Sequence, residues 1–126
     1  MTKIMIVDDN EEVRLVVRAT LEHEGYEIIE ADSGPNCLNM LRSGEHPDII
    51  LLDVMMPEMD GWEVSRKIKS DESLKNIIIC MLTAKNTTMD ALMSIESAKS
   101  DWHLNKPISR KEMIDTIKWL LETQPQ

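Results

Sequence analysis

Short apolar runs alternate along the whole chain with segments in which apolar residues recur every three or four positions. The runs IILLD and IIICML are continuously apolar, which is typical of strands buried on both faces of a parallel sheet. The alternation predicts five strands and five helices. The predicted strands are Lys3–Val7, Tyr26–Ala31, Asp48–Asp53, Asn76–Leu82 and a weaker Asp101–Asn105.

Capping residues mark the first and last predicted helices. Asn10 can cap the first helix, and Gly25 stands where that helix must stop. Ser109 followed by Glu112 forms the pattern of a capping box before the last helix. Apolar residues at helical spacing define one face of each of these helices: Val13, Val17 and Leu21 in the first, and Met113, Ile114, Ile117 and Leu121 in the last.

Strands that alternate with helices at this spacing predict right-handed βαβ units and a three-layer α/β sandwich. A chain of 126 residues fits a single domain, and no repeat or low-complexity linker divides it. We expect the domain to span residues 1–122 and the loose sequence TQPQ, residues 123–126, to form a flexible tail.

Charge and cysteine content narrow the class of protein. Lysine and arginine total 14 against 23 acids, a net charge of −9, which argues against direct binding to nucleic acid or to an anionic membrane surface. Cys37 and Cys80 stand in apolar stretches and are interpreted as small buried hydrophobes. Without a run of membrane-spanning length or a signal-peptide pattern, we expect a cytoplasmic protein.

Polar side chains capable of chemistry follow the predicted strands. Asp8 and Asp9 end the first strand, Asp53 ends the third, Thr83 ends the fourth, and Lys106 follows the fifth. Ligands of open α/β sheets bind beyond the carboxyl ends of the strands, where the strand order reverses. If the first and third strands are neighbours, three carboxylates share one pocket. Taken singly, each acid is more simply interpreted as a helix cap; five such residues at the right strand ends make that interpretation weak.

Three carboxylates repel each other unless a cation compensates their charge. Mg²⁺ takes oxygen ligands and keeps positions open for water or phosphate. Lys106 can pair with a phosphate oxygen, and Thr83 can donate a hydroxyl hydrogen bond. The cluster therefore contains the groups needed for transfer of a phosphoryl group to a carboxylate: a nucleophile, a metal and donors for the phosphoryl oxygens.

Four motifs occur in order along the chain: KIMIVDDNEEVR, PDIILLDVMMPEMDGWEV, MLTAK and NKP. As an ordered set they resemble the motifs of response-regulator receiver domains of two-component signalling, of the chemotaxis-regulator type. The resemblance implies a flavodoxin-like sandwich with strand order 2-1-3-4-5. It also implies a signalling switch that receives a phosphoryl group from a sensor histidine kinase and changes its surface for an unknown downstream protein.

The resemblance implies a role for each residue of the acidic cluster. Asp53 would accept the phosphoryl group in a Mg²⁺-dependent reaction. Asp9 would bind the metal directly and Asp8 through water. Asp53 and the main-chain carbonyl of Met55 would complete the metal site.

The same resemblance assigns the switch. Thr83 would turn toward the phosphoryl group, and Lys106 would pair with it. A cis Lys106–Pro107 bond is implied, and Gly61 would relieve backbone strain in the turn before the third helix. His103 stands where the family usually has a Tyr or Phe, so it would be the second switch residue; the alternative is a bystander histidine on an edge strand.

Further departures from the family pattern lie around the fifth strand. Lys99 and Ser100 stand where Gly-Ala is usual, Trp102 where an acidic or small residue is common, and Ile108 where an aromatic is frequent. None of these positions belongs to the acidic cluster. They leave the mode of signal output open.

Other functions are compatible with parts of the pattern. A phosphohydrolase with an aspartate nucleophile would need a second acid two residues after Asp53, where Met55 stands. A binding module that has lost its chemistry would not need all five cluster residues. We therefore expect no turnover of an external substrate, a monomer or weak dimer, and either a free-standing regulator or a domain of a longer protein.

Overall fold

The computed structural model of the protein describes residues 1–83 and 100–123, and in them five strands form one parallel sheet. Their order is β2-β1-β3-β4-β5, as predicted, with every neighbouring pair parallel. Each strand lies within two residues of its predicted bounds: β1 Lys3–Val7, β2 Glu27–Ala31, β3 Ile49–Asp53, β4 Ile78–Thr83 and β5 Trp102–Asn105.

Four helices are described: α1 Glu11–His23, α2 Gly34–Arg42, α3 Gly61–Lys69 and α4 Arg110–Thr123. The fourth of the five predicted helices lies between the fourth and fifth strands, within residues 84–99, which are outside the described residues. Helix α4 ends at Thr123, the first residue of the predicted tail, and residues 124–126 also lie outside them. Among the described helices, none has the length and apolar character needed to cross a membrane.

The predicted capping residues cap their helices. Asn10 Oδ1 accepts the N–H groups of Glu12 and Val13, at 2.8 and 3.2 Å. Ser109 Oγ accepts the N–H of Glu112 at 3.0 Å, at the start of α4. Gly25, with φ of +93°, follows α1 in the left-handed region that favours glycine.

The core consists of two apolar layers, one on each face of the sheet. Every residue of β3 is buried, as its uninterrupted apolar sequence predicted. Alternate residues along the strands point to opposite faces. One layer joins the sheet to α2 and α3 through Met5, Val7, Ile50, Leu52, Leu38, Val64 and Ile68, and the other joins it to α1 and α4 through Ile4, Ile6, Leu51, Val17, Leu21, Met113 and Ile117.

The strand order brings the carboxyl ends of β1 and β3 together at the centre of the sheet. Val7 is the register partner of Leu52, so the next residues along both strands, Asp8 and Asp53, leave the sheet side by side. On the other side of β3, Asp53 is the partner of Leu82 in β4. Because β2 lies beyond β1 and β4 beyond β3, the order reverses between β1 and β3, where such sheets bind ligands.

Candidate functional site

Three carboxylates meet beyond the carboxyl ends of β1 and β3. One carboxylate oxygen from each of Asp8, Asp9 and Asp53 lies within 4.8 Å of the other two. Asp8 and Asp53 are buried, with 1% and 5% of their surface exposed, whereas Asp9 is exposed. The cluster thus has a buried floor and an open side from which a ligand can enter.

Hydrogen bonds from two other elements hold Asp8 in place. Its N–H donates to Ala31 O at the end of β2, at 3.2 Å, and its Oδ1 accepts the N–H of Asn10 at 2.9 Å. Arg14 Nη1, on α1, donates to Asp8 O at 2.6 Å, while Arg14 Nε donates to Glu30 Oε1 at 3.0 Å. The backbone at the first carboxylate is therefore tied to both α1 and β2.

Asp53 is positioned by the loop that follows β3. Val54 N–H donates to Leu82 O at 3.1 Å, and the N–H of the exposed Met55 lies 3.4 Å from Asp53 Oδ1. Gly61 begins α3 against this loop, and a Cβ built on it would overlap Asp53 O. Glycine is thus required here because any side chain would collide with the Asp53 backbone. The structure does not support relief of backbone strain as the reason, because φ of Gly61 is not in the left-handed region.

Lys106 connects the two buried carboxylates. Its Nζ lies 2.9 Å from Asp8 Oδ2 and 3.1 Å from Asp53 Oδ1. Its N–H donates to Thr83 O at 2.6 Å, which fixes the residue beside the end of β4. The predicted cis Lys106–Pro107 bond is present. The ammonium group thus lies where it can contact an anion on Asp53.

Burial and neighbouring charges shift the pKa values in this cluster. Burial raises the pKa of Asp53, the charge of Asp8 raises it further, and Lys106 opposes both. Burial lowers the pKa of Lys106, but its hydrogen bond to Asp8 and the charges of Asp53 and Asp8 outweigh burial, so the net shift is upward. The lysine is therefore cationic, and the pKa of Asp53 stays above its ordinary value despite the lysine.

The donor set of this cluster fits a hard divalent cation. One ammonium group faces three carboxylates, so two negative charges remain when all four groups are ionised. Carboxylate oxygens and an open side for water are what Mg²⁺ requires. Asp8, Asp9 and Asp53 could hold the ion together with a main-chain carbonyl of the adjacent loop; Met55 O as that carbonyl stays a prediction.

Thr83, the last residue of β4, is buried and bonded to β5. Its Oγ1 donates to Asn105 Oδ1 at 2.7 Å and lies 3.4 Å from Leu104 O. The hydroxyl predicted to serve the phosphoryl group therefore has a protein partner. Sequence reasoning missed Asn105, although it stands in the NKP motif directly before Lys106.

His103 lies in the middle of β5, opposite Met81 of β4. It is half-buried, and its ring stacks with that of Trp102 at 6.3 Å between centroids. Nδ1 is buried and has no hydrogen-bond partner among the residues that the structure describes. Its role as a switch residue stays a prediction. Ser100, another departure from the family pattern, is buried just before β5, and Lys99 falls outside the described residues.

An apolar groove of about 580 Å³ adjoins Lys106 on the surface. Val16 of α1, which lines the groove, is 64% exposed, and its chain neighbour Leu15 is 65% exposed. Adjacent exposed apolar side chains of this kind are typical of a surface that contacts another protein. The groove is lined by Asn10, Glu12, Val13, Val16, Val17, Lys106, Pro107 and Ile108.

Comparisons with known proteins agree on one family. The model of the response regulator receiver domain matches residues 4–118. The chain is 40% identical over 119 residues to the polar-differentiation response regulator DivK of Brucella ovis, covering 94% of this chain and 95% of DivK. It is 35% identical over 119 residues to the alkaline phosphatase synthesis transcriptional regulatory protein PhoP of Bacillus subtilis, covering 94% of this chain but 48% of PhoP, about half its length. The solved structure of chemotaxis protein CheY4 of Vibrio cholerae is 28% identical, with a TM-score of 0.87 and coverage of 94% and 98%.

Proposed function

Because this chain belongs to the response regulator receiver domain family of two-component systems, we propose that it is a phosphorylation switch whose acceptor is Asp53. The donor is the phosphohistidine of a sensor histidine kinase, and a downstream protein responds to the modified surface. One observation carries the assignment: the buried Asp53 carboxylate shares a cluster with Asp8 and Asp9 and contacts Lys106 at 3.1 Å.

In the proposed reaction, Asp53 acts as the nucleophile. Its Oδ1 is contacted by Lys106 and by the N–H of Met55, so Oδ2 is the oxygen that attacks phosphorus. An O–P bond forms as the P–N bond of the phosphohistidine breaks, and the imidazole leaves with the electron pair. Mg²⁺ held by Asp8, Asp9, Asp53 and the Met55 carbonyl would offset the charge that develops on the phosphoryl oxygens.

Lys106 has two electrostatic roles in this proposal. Before transfer, its ammonium group offsets the repulsion between Asp8 and Asp53. After transfer, the same group pairs with a phosphoryl oxygen on Asp53, since it already lies within contact distance of the carboxylate. Only the Lys106 side chain has to adjust, because its backbone is held by the hydrogen bond to Thr83 O.

The phosphodonor protein approaches over the groove beside Lys106. This surface includes Asn10 and Lys106, which contact the acidic cluster, and exposes Val16, which a partner can bury. Apolar contacts here would orient the donor's phosphohistidine toward Asp53 without altering the cluster itself.

The switch consists of a change of partner by Thr83. Before phosphorylation its hydroxyl donates to Asn105; afterwards it donates to the phosphoryl group on Asp53. The exchange frees Asn105 and alters the contacts between β4 and β5, where His103 can follow. Phosphorylation thereby shifts a two-state equilibrium that a downstream protein reads.

Several finer features belong to the same proposal. The domain spans residues 1–122 with a tail of 123–126, acts in the cytoplasm as a monomer or weak dimer, and binds no nucleic acid directly. It catalyses its own phosphorylation and dephosphorylation. A phosphohydrolase acting on external substrates is less well supported, because the exposed Met55 stands where a second acid would protonate the leaving group.

Small phosphodonors test the proposal without a kinase. Phosphoramidate with Mg²⁺ should add one phosphoryl group to the wild-type chain, seen by intact-protein mass spectrometry, and none to Asp53→Asn. Asp48→Asn is a matched control, since Asp48 lies at the opposite end of β3. Equal labelling of Asp53→Asn and the wild type would contradict the assignment of Asp53 as the phosphoryl acceptor.

A further inference from the structure

Two partly exposed tryptophans form a cleft between β5 and α4. Trp102 is 41% exposed and Trp119 is 44% exposed. Their ring centroids lie 4.9 Å apart, with the planes at 62°. Together with Asp115 and Thr116 they line a cleft of about 290 Å³. Clustered exposed aromatic rings are costly to leave in water and are typical of a binding surface.

The packing of α4 and β5 explains why these rings stay outside the core. Asp115 and Trp119 are four positions apart on α4 and therefore share one face of the helix. The helix buries Met113, Ile117 and Leu120 against the sheet, which turns the face of Asp115 and Trp119 outward. On β5, Leu104 is buried in the core layer beneath α4. Trp102, two residues earlier, points to the same side of the sheet but begins the strand and stays 41% exposed.

The walls of the cleft match a planar cation. Aromatic faces attract cations through the ring quadrupole, and tryptophan does so most strongly. The two rings meet at a steep angle, and the carboxylate of Asp115 lies on the same rim. A guanidinium group can stack on an indole and present two N–H donors to a carboxylate at once, which a lysine ammonium cannot do.

The existing partner of Asp115 does not block this site. Lys111 Nζ lies 2.6 Å from Asp115 Oδ2, but the two side chains are 88% and 58% exposed. Such surface pairs contribute little to stability, so a guanidinium group stacked on an exposed indole face beside Asp115 can share or displace the lysine.

We propose that Trp102, Trp119 and Asp115 form a recognition site for an arginine side chain of a partner protein. The net charge of −9 favours a basic partner and opposes a second copy of this chain as the occupant. The site is separate from the acidic cluster, because Trp102 begins β5, whereas the cluster lies beyond the opposite ends of the strands.

NMR of the indole N–H groups in the full ¹⁵N-labelled chain tests this inference. The probes are N-acetyl-arginine methylamide and its citrulline counterpart, which has a similar shape but no charge. Arginine should shift the Trp102 and Trp119 signals saturably and leave Trp62, which packs against the core on α3, unchanged. Citrulline should bind at least about threefold more weakly, the size of a cation–π contribution at an exposed site.

Variants separate the carboxylate from general charge effects. Asp115→Asn should weaken arginine binding about threefold. Glu72→Gln is a matched control, because Glu72 is also an exposed acid paired with a lysine, Lys75, at 2.8 Å, and binding should not change. Equal binding of arginine and citrulline, equal loss in both variants, or no saturable shift would overturn the proposal. Self-association abolished by Trp119→Leu, measured by sedimentation, would assign the cleft to a second copy and would also overturn it.

Discussion

Thr83 Oγ1 donates a hydrogen bond to Asn105 Oδ1 at 2.7 Å, so the last side chain of β4 is tied to the last side chain of β5. Asn105 directly precedes Lys106, whose N–H donates to Thr83 O at 2.6 Å. The hydroxyl and the ammonium group thus belong to one connected unit at the carboxyl ends of the strands. In the proposed switch, Thr83 must break the bond to Asn105 before it can contact a phosphoryl group.

Removing the Asn105 side chain, which accepts the hydrogen bond of Thr83, should release the Thr83 hydroxyl. Asn105→Ala is expected to favour the phosphoryl-bound conformation by about 1 kcal/mol, the typical net value of one hydrogen bond, or about fivefold in affinity for beryllofluoride. Beryllofluoride mimics a phosphoryl group on a carboxylate and can be titrated in the presence of Mg²⁺. In a Thr83→Ala background the same substitution should have no effect; an equal gain there would show that Asn105 acts without Thr83.

Asp9 is the exposed member of the acidic cluster and the proposed direct metal ligand. Asp9→Ala should weaken Mg²⁺ binding at least about tenfold, or ~1.4 kcal/mol, in calorimetric titrations. The same change removes one of three mutually repelling carboxylates, so the metal-free protein should become more stable to urea. Asp115→Ala, outside the cluster, is the control, and Mg²⁺ affinity that stays unchanged in Asp9→Ala would place the ion elsewhere.

Lys106 compensates two buried carboxylates, so its loss should be costly in the absence of metal. Lys106→Met is expected to lower the free energy of unfolding in EDTA by about 3 kcal/mol, the cost of breaking a buried ion pair from one side. Adding Asp53→Asn should recover part of the loss, because one uncompensated charge disappears. Lys111→Met removes an exposed lysine that also pairs with an aspartate. Equal losses in the two lysine variants would mean that Lys106 offsets no buried charge.

Glu30 connects Arg18 and Arg14, and Arg14 in turn contacts Asp8 O. The hydrogen bond from Arg18 lowers the pKa of Glu30; burial opposes this shift, and Arg14 adds to it. A lowered folded-state pKa adds stability that is present above the unfolded-state pKa and is lost as pH falls through the folded-state pKa. The contribution of Glu30 should therefore be complete at neutral pH, begin to fall near the ordinary glutamate pKa of about 4.3, and disappear only below the lowered folded-state pKa.

Urea unfolding of Glu30→Gln measures this contribution. At pH 7 the variant should be about 1 kcal/mol less stable than the wild type. This is the upper end of the range for an exposed ion pair, because Glu30 pairs with two arginines. The difference should vanish in acid. Glu22→Gln, which removes only the more exposed partner of Arg18, should cost less. A difference for Glu30→Gln that persists below its folded-state pKa would show that charge is not its cause.

Local signals in the sequence predicted most of the fold. Uninterrupted apolar runs predicted β3 and β4, because both faces of a central parallel strand are buried. Asn10 and Ser109 predicted helix starts, since capping depends on residues only two or three positions apart. The acidic cluster followed from the positions of Asp8 and Asp53 at strand ends once a neighbouring β1 and β3 was assumed.

Contacts that depend on tertiary register were beyond sequence reasoning. The Thr83–Asn105 bond requires the β4–β5 pairing, and the position of Asn105 at the end of a predicted strand does not show which side chain it contacts. Arg14 lies outside the apolar face predicted for α1, and its contacts with Asp8 O and Glu30 depend on how α1 packs beside β1 and β2. The sequence pointed to Gly61 in the turn before α3. The reason a glycine is needed there is its close packing against the Asp53 carbonyl, which backbone preferences do not reveal.

Reductive trapping of the phosphorylated residue tests the central claim most directly. Borohydride converts an aspartyl phosphate into homoserine, and peptide mass spectrometry then locates the converted residue. After incubation with phosphoramidate and Mg²⁺, we predict homoserine at position 53 alone, with none when Mg²⁺ is removed by EDTA. Homoserine at Asp8 or Asp9, or equal conversion with and without Mg²⁺, would contradict the account of Asp53 as a metal-dependent phosphoryl acceptor.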